Sequence, residues 1–248
     1  MKKILLSFFI SLFLAAGAGA QTLGCRDMVW SGKFPAAREV VSLLCKKRFI
    51  VGYSTARHNP LWVAESLSAA QVAANQIPRN DNFRIDSNIP ALSQAALSEF
   101  NNTGYDRGHM VPYEDVNDSA IAADESFILT NIVPQTASMN RVIWRVLEDR
   151  VRKLTVGTTQ PIFIITGPIF SVEPRVLAKG TQVPSHLWKV VIIPEKKQVL
   201  TVIIPNVDGL MTHDLPNFIT TMNDLLMQNR HLSLGYNITG FKELTQLN

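Results

Sequence analysis

Two cysteines and five histidines in 248 residues, none paired as H-E-x-x-H or C-x-x-C, leave the chain without the ligand spacing of a zinc hydrolase. Charged residues are scarce as well, at 18% against 46% hydrophobic, which excludes a disordered chain and describes one able to bury a sizeable core. No internal repeat or low-complexity stretch interrupts it, which argues against a solenoid. After the apolar run Ile4 to Ala16 there is no second long one, so no spanning helix is expected in the mature protein. Excess basic charge is small. The net charge is +4, and Lys2 and Lys3 supply two of those charges. A balance this mild permits a polyanionic substrate without arguing for one, so any nucleic-acid site must come from clustered arginines.

What is present begins with a leader. Lys2 and Lys3 precede the apolar run, and Ala18-Gly19-Ala20 offers a small-residue cleavage site. Residues 1–20 are therefore read as a signal peptide, and 21–248 as one domain that is exported to the periplasm or secreted. A retained N-terminal anchor is the alternative. Cys25 and Cys45 both fall in the mature part, where an oxidising compartment favours a disulfide; two buried free thiols are the alternative.

Strands are expected over 48–54 and 61–66, with a turn at His58-Asn59-Pro60. Residues 69–100 read as a long surface excursion with one short helix near 93–100, and long loops in compact domains tend to be functional. An extended segment follows over 105–112, then a strand over 127–133. Val142, Ile143, Val146, Leu147, Val151 and Leu154 recur at helical spacing and predict the strongest helix, from Ser138 to about Val156. Val- and Ile-rich strands over 161–166, 186–193 and 198–204 and a second helix over 215–228 complete the chain. This mixed order, without a regular βαβ repeat, implies an α+β fold around a largely antiparallel sheet.

The chemistry concentrates in Asp106-Arg107-Gly108-His109. Histidine can accept a proton near neutral pH, and arginine presents a permanent forked cation suited to phosphate. On an extended segment Arg107 and His109 share a face, and Asp106 points the other way, free to pair with a basic group. Gly108 is expected to allow close backbone approach between them. Asn140, at the start of the long helix, offers a hard carbonyl oxygen of the type Mg²⁺ accepts, although asparagine also favours helix N-termini for its own reasons. Glu148 lies eight residues on, about 80° round and about 12 Å along an ideal helix. The two cannot both be close ligands unless the helix start is irregular. An ion pair of Glu148 with Arg145 or Arg152 is the alternative.

Taken together, Asp106-Arg107-Gly108-His109, then Thr130-Asn131-Ile132-Val133-Pro134-Gln135, then Asn140 with Trp144 and Leu147-Glu148, resemble the DNA/RNA non-specific endonuclease family. Ile165-Thr166-Gly167-Pro168, Trp188-Lys189-Val190 and an opening hairpin carrying Tyr53 and Trp62 extend the resemblance over about Arg48 to Ile204. It implies a ββα-metal (His-Me finger) motif and a Mg²⁺-dependent nuclease, with Mn²⁺ as the other candidate ion, acting on DNA and RNA as substrates. It casts His109 as general base, Asn140 as direct metal ligand and Glu148 as a metal contact through water. Arg107 falls near the phosphate and Asn131 in a supporting site role. Arg79 matches the upstream arginine that stabilises phosphorane charge, with Arg84 a near competitor. A binding-only descendant of the same fold is the rival reading. A homodimer is one candidate assembly.

Overall fold

The computed structural model describes residues 24–74 and 77–247. The leader read at 1–20 lies outside them. The strands are β1 (Ala36–Ala37), β2 (Ser42–Cys45), β3 (Phe49–Ser54), β4 (Asn59–Leu67), β5 (Tyr105–His109), β6 (Ile132–Thr136), β7 (Ile162–Ile169), β8 (His186–Ile193), β9 (Gln198–Pro205), β10 (Ile219–Thr220), β11 (Leu232–Ser233) and β12 (Lys242–Glu243). The main sheet runs β10-β9-β8-β7-β4-β3-β2, antiparallel at each step, with β12 added in parallel against β9. The α+β architecture and the antiparallel sheet are as expected.

Strand alternation gives this sheet two apolar faces. Val51, Tyr53, Val63, Leu187, Val191 and Val202 face one core, and Ile50, Trp62, Ala64, Trp188, Val190 and Val199 face the other. The first core is closed by Met110, Val133, Met139, Ile143, Trp144, Leu147 and Val151, which belong to the site-bearing ribbon and the helix after it. Ile143, Leu147 and Val151 are spaced one helical turn apart, and burying each contributes about 1.5–3 kcal/mol. The second core is closed by the terminal segments, through Cys25, Val29, Met222, Leu225 and Leu232. The Cys25–Cys45 disulfide ties the N-terminal segment to β2, as read from the sequence.

Several boundaries differ from expectation. Asn59 and Pro60 belong to β4, and the turn closes on His58 at φ 52°. The excursion carries a short helix at Ala69–Ala73 and 3-10 turns at Ala91–Ser93 and Leu97–Phe100. Of the expected 127–133 strand only Ile132 onward joins a strand, because Leu129–Asn131 form a 3-10 turn after the single bridging residue Ile128. The long helix opens as a π-helix over Met139–Trp144 and continues as an α-helix over Arg145–Lys153. The expected 215–228 helix is split. Pro216 sits in a 3-10 turn over Thr212–Phe218, β10 pairs with β9, and Thr221 then caps a helix over Met222–Gln228. Proline cannot donate a helical bond and the capping threonine restarts the count, so one apolar period spans two elements.

Candidate active site

β5 and β6 form a separate antiparallel ribbon, with Arg107 opposite Pro134 and His109 opposite Ile132. Among the described residues the other edge of β5 pairs with no strand. Residues opposite one another share a face. Tyr105, Arg107 and His109 therefore project on one side, and Asp106 and Gly108 on the other, with Gln135 and Val133. Val133 packs with Met139 and Ile143, so the second side meets the long helix.

On the first side His109 sits in an aromatic pocket. Its ring lies 5.5 Å from Phe83 and 5.1 Å, edge-on, from Phe127. The excursion builds this pocket. Arg84 bridges to Ile128, its N–H reaching the Phe127 carbonyl at 3.2 Å, and this lays Phe83 against Phe127. Burial first, and then the Arg79 cation, push the imidazole down to about 3, with Asp81 opposing. The ring is thus a neutral base at physiological pH. Its Nε2 is buried without a hydrogen-bond partner, while the residue as a whole is half-buried.

Arg107 is exposed, with its guanidinium 4.7 Å over the Phe83 ring, and it joins no ion pair among the described residues. Arg79 stacks over Tyr113 at 5.6 Å and over Phe127 at 5.3 Å, on the ring that also flanks His109. Arg84 is committed elsewhere: both of its terminal nitrogens bind the Asp124 carboxylate. Arg79 is ion-paired too, with Asp81 at 2.7 Å and Glu114 at 3.7 Å, so what separates the two upstream arginines is place: Arg79 is the one beside the histidine.

On the second side Asp106 accepts from Asn140 Nδ2 at 2.9 Å and forms a two-pronged pair with Arg141, at 2.7 and 2.6 Å. Burial raises the Asp106 carboxyl, but these two donors outweigh it and hold the group below its ordinary range. Because the carboxylate must face the amide N–H₂, Asn140 Oδ1 is turned away from it. Asn140 is half-buried, and its Oδ1 is not sealed in the interior.

Glu148 is buried and takes neither of the ion pairs considered for it. Arg145 pairs with Asp149 at 3.7 Å, and Arg152 with Asp115 at 2.7 Å. Burial raises the Glu148 carboxyl to about 8, with Lys189 and Arg152 opposing and Asp115 and Glu114 assisting. Its Oε1 has no hydrogen-bond partner. The π-turn between Asn140 and Glu148 supplies the irregular start that the sequence reading required. A turn closed by i→i+5 bonds advances less per residue than the ideal helix, which brings the two side chains closer to one face.

These groups fit a hard divalent cation. They present an amide oxygen fixed by its other end and a buried carboxyl oxygen with no partner. No cluster of three acidic, histidine or cysteine ligands exists among the described residues. A divalent ion held here would therefore keep most of its shell as water.

Asn131 is fully buried, and its side chain is turned to backbone groups. Its Oδ1 accepts from Val111 N at 3.0 Å, and its Nδ2 donates to the carbonyls of Val111 and Ser126, each at 2.9 Å. It is a positioning residue that fixes the segment leaving His109. Gly108 likewise differs from expectation. A Cβ there would lie 2.1 Å from Gln135 Cδ, so glycine makes room for a buried glutamine and not for an approach of Arg107 to His109. Sequence reasoning missed Phe83 and Phe127, which hold His109, and the partnership of Asp106 with Asn140. The period-two spacing of Tyr105 with Arg107 and His109 was a usable signal for a third residue on that face.

The sequence profile of DNA/RNA non-specific endonucleases matches residues 34–234. The mitochondrial nuclease EXOG of Xenopus laevis is 31% identical over 191 residues, covering 71% of this chain and 53% of that protein. A nuclease of Syncephalastrum racemosum is 35% identical over 150 residues, 59% of this chain and 46% of that one. Human mitochondrial endonuclease G is 28% identical, covering 67% and 61%. The chain thus spans about half the length of these curated relatives. A chain in the crystal structure of the EndoG/EndoGI complex superposes with a TM-score of 0.75 at 25% identity, covering 84% of this chain and 91% of that one. With its ββα arrangement of β5, β6 and the long helix, this chain belongs to the DNA/RNA non-specific endonuclease family.

Proposed function

We propose that this protein is an exported, Mg²⁺-dependent endonuclease that hydrolyses phosphodiester bonds of DNA and RNA with little sequence preference. The observation that carries the reading is a neutral imidazole and an oriented amide on opposite faces of one strand whose other edge pairs with no strand among the described residues. A phosphate lying along that edge is reachable from both sides. His109 takes a proton from water as the water attacks phosphorus. Arg107 and Arg79 hold the phosphate and offset its growing charge. Asn140 Oδ1 would hold a divalent ion, with Glu148 acting through water, and such an ion would supply Lewis-acid neutralisation of the charge that builds in the reaction. The 3′-oxygen departs with the P–O3′ bonding pair and takes a proton from a water molecule, which leaves 5′-phosphate and 3′-hydroxyl ends. No step uses a 2′-hydroxyl, so both nucleic acids are substrates. Contacts confined to phosphate carry no sequence information. Export is supported by the leader-like first twenty residues and by the disulfide.

The test is digestion of plasmid DNA and single-stranded RNA with Mg²⁺ and with EDTA, for wild type and His109→Ala. The variant is expected to lose at least about 10²-fold in rate. Near wild-type cleavage by His109→Ala removes the general-base assignment. Digestion unaffected by EDTA removes the metal.

A further inference from the structure

We propose that Arg175, backed by the ring of Tyr105, holds a backbone phosphate of the substrate beyond the one being cut. This rests on the nuclease reading above. The Arg175 guanidinium lies 5.1 Å over the Tyr105 ring, with Nη1 3.4 Å from the hydroxyl oxygen. Tyr105 shares its face of β5 with Arg107 and His109. Each two-residue step along a strand advances about 6.8 Å. Tyr105 therefore stands about 14 Å along the strand from His109, too far to serve the same phosphate and well placed for a later one. The pattern repeats along the row: Arg175 on Tyr105, Arg107 on Phe83, Arg79 on Phe127 and Tyr113. An arginine laid flat on an aromatic face keeps its in-plane donors pointing outward, as a phosphate contact needs. Arg175 is exposed and joins no ion pair among the described residues.

The segment that presents it is built rather than loose. Val183 N–H donates to the Arg175 carbonyl at 2.8 Å, and Leu177 N–H to the Thr181 carbonyl at 2.8 Å. The buried Glu99 carboxylate then clips this loop to the turn leading into β5. It accepts from Lys179 N at 2.6 Å and from Thr181 Oγ1 at 2.7 Å. The fold thus spends a buried carboxylate on fixing the loop that carries Arg175 beside the strand that carries His109.

The experiment compares wild type, Arg175→Ala and Arg175→Lys on a fluorescent 12-nucleotide single strand and on a dinucleotide with a single phosphodiester. Binding of the 12-mer is read across salt concentration in Ca²⁺, and cleavage of both in Mg²⁺. Arg175→Ala is expected to weaken 12-mer binding about tenfold. The slope of log Kd against log salt should fall by about 0.7, the value for one phosphate on a single strand. KM for the 12-mer rises while kcat holds, dinucleotide cleavage is unchanged, and lysine restores the salt slope. A wild-type slope for Arg175→Ala overturns the proposal while leaving the nuclease reading intact. Equal losses on 12-mer and dinucleotide also overturn it, because the residue then serves the scissile phosphate. A wild type that cleaves neither substrate overturns the nuclease reading, and this proposal with it.

Discussion

Asp106 Oδ2 accepts from Asn140 Nδ2 at 2.9 Å, across 34 residues of chain, and so decides which end of that amide is free. A hydrogen-bonded partner of this kind typically contributes 10- to 100-fold to metal affinity or activity. Asp106→Ala is therefore expected to raise the Mg²⁺ concentration for half-maximal cleavage by about 10- to 100-fold. The check is a Mg²⁺ titration of cleavage on a variant whose circular dichroism matches wild type. An unchanged midpoint would separate Asp106 from the metal.

The two upstream arginines should part in function. Arg79 shares the Phe127 ring with His109, so Arg79→Ala is expected to slow cleavage by about 10²-fold, the loss typical of a group that stabilises transition-state charge. Arg84 is bound to Asp124 at the surface, so Arg84→Ala should leave the rate within a few-fold and cost at most about 1 kcal/mol of stability. Single-turnover rates and urea melts on both variants decide it, and a larger rate loss for Arg84→Ala would reverse the assignment.

His109 carries a pH dependence whose sign is fixed by burial. Its folded value, about 3, lies below the ordinary 6.5. Between these values the unfolded chain binds a proton that the folded chain does not, so stability falls as pH drops from about 6.5 towards 3. Above that window His109 contributes no further change. NMR titration of the imidazole in metal-free protein should find a midpoint well under 6.5, moved upward in Arg79→Ala because one opposing cation is gone. A midpoint at the ordinary histidine value would refute the pocket.

Gly108→Ala is expected to destabilise the fold by about 1–3 kcal/mol, because the new methyl overlaps the buried Gln135 side chain. Adding Gln135→Ala to the same chain removes the overlapping atoms and should recover part of that loss. Denaturant melts of the single and double variants measure it. No recovery would mean that the clash is with something other than Gln135.

The long helix shows how far a sequence carries this protein. Apolar spacing placed it correctly from about Ser138, and the Asp106–His109 string marked a candidate site by residue type together with the family resemblance. The spacing could not show that Met139–Trp144 is wound as a π-helix, since i→i+4 and i→i+5 turns bury similar apolar stripes. The phase between Asn140 and Glu148 depends on that difference. Residues 69–100 read as a polar loop, yet they deliver Phe83 and Arg79 to His109 by pairing with 127–129, a contact some 45 positions away that no local pattern encodes.

By itself, then, the order of side chains determined the α+β class and the antiparallel strands and marked Cys25, Cys45 and the Asp106–His109 string as candidates, because each follows from periodicity or from residue type. Tertiary structure alone decided that the imidazole is neutral, that Arg79 and not Arg84 flanks it, and that Asn140 turns its carbonyl outward. Those properties depend on burial, on ring contacts and on one hydrogen bond between distant segments, and such terms exist only once the chain has closed on itself.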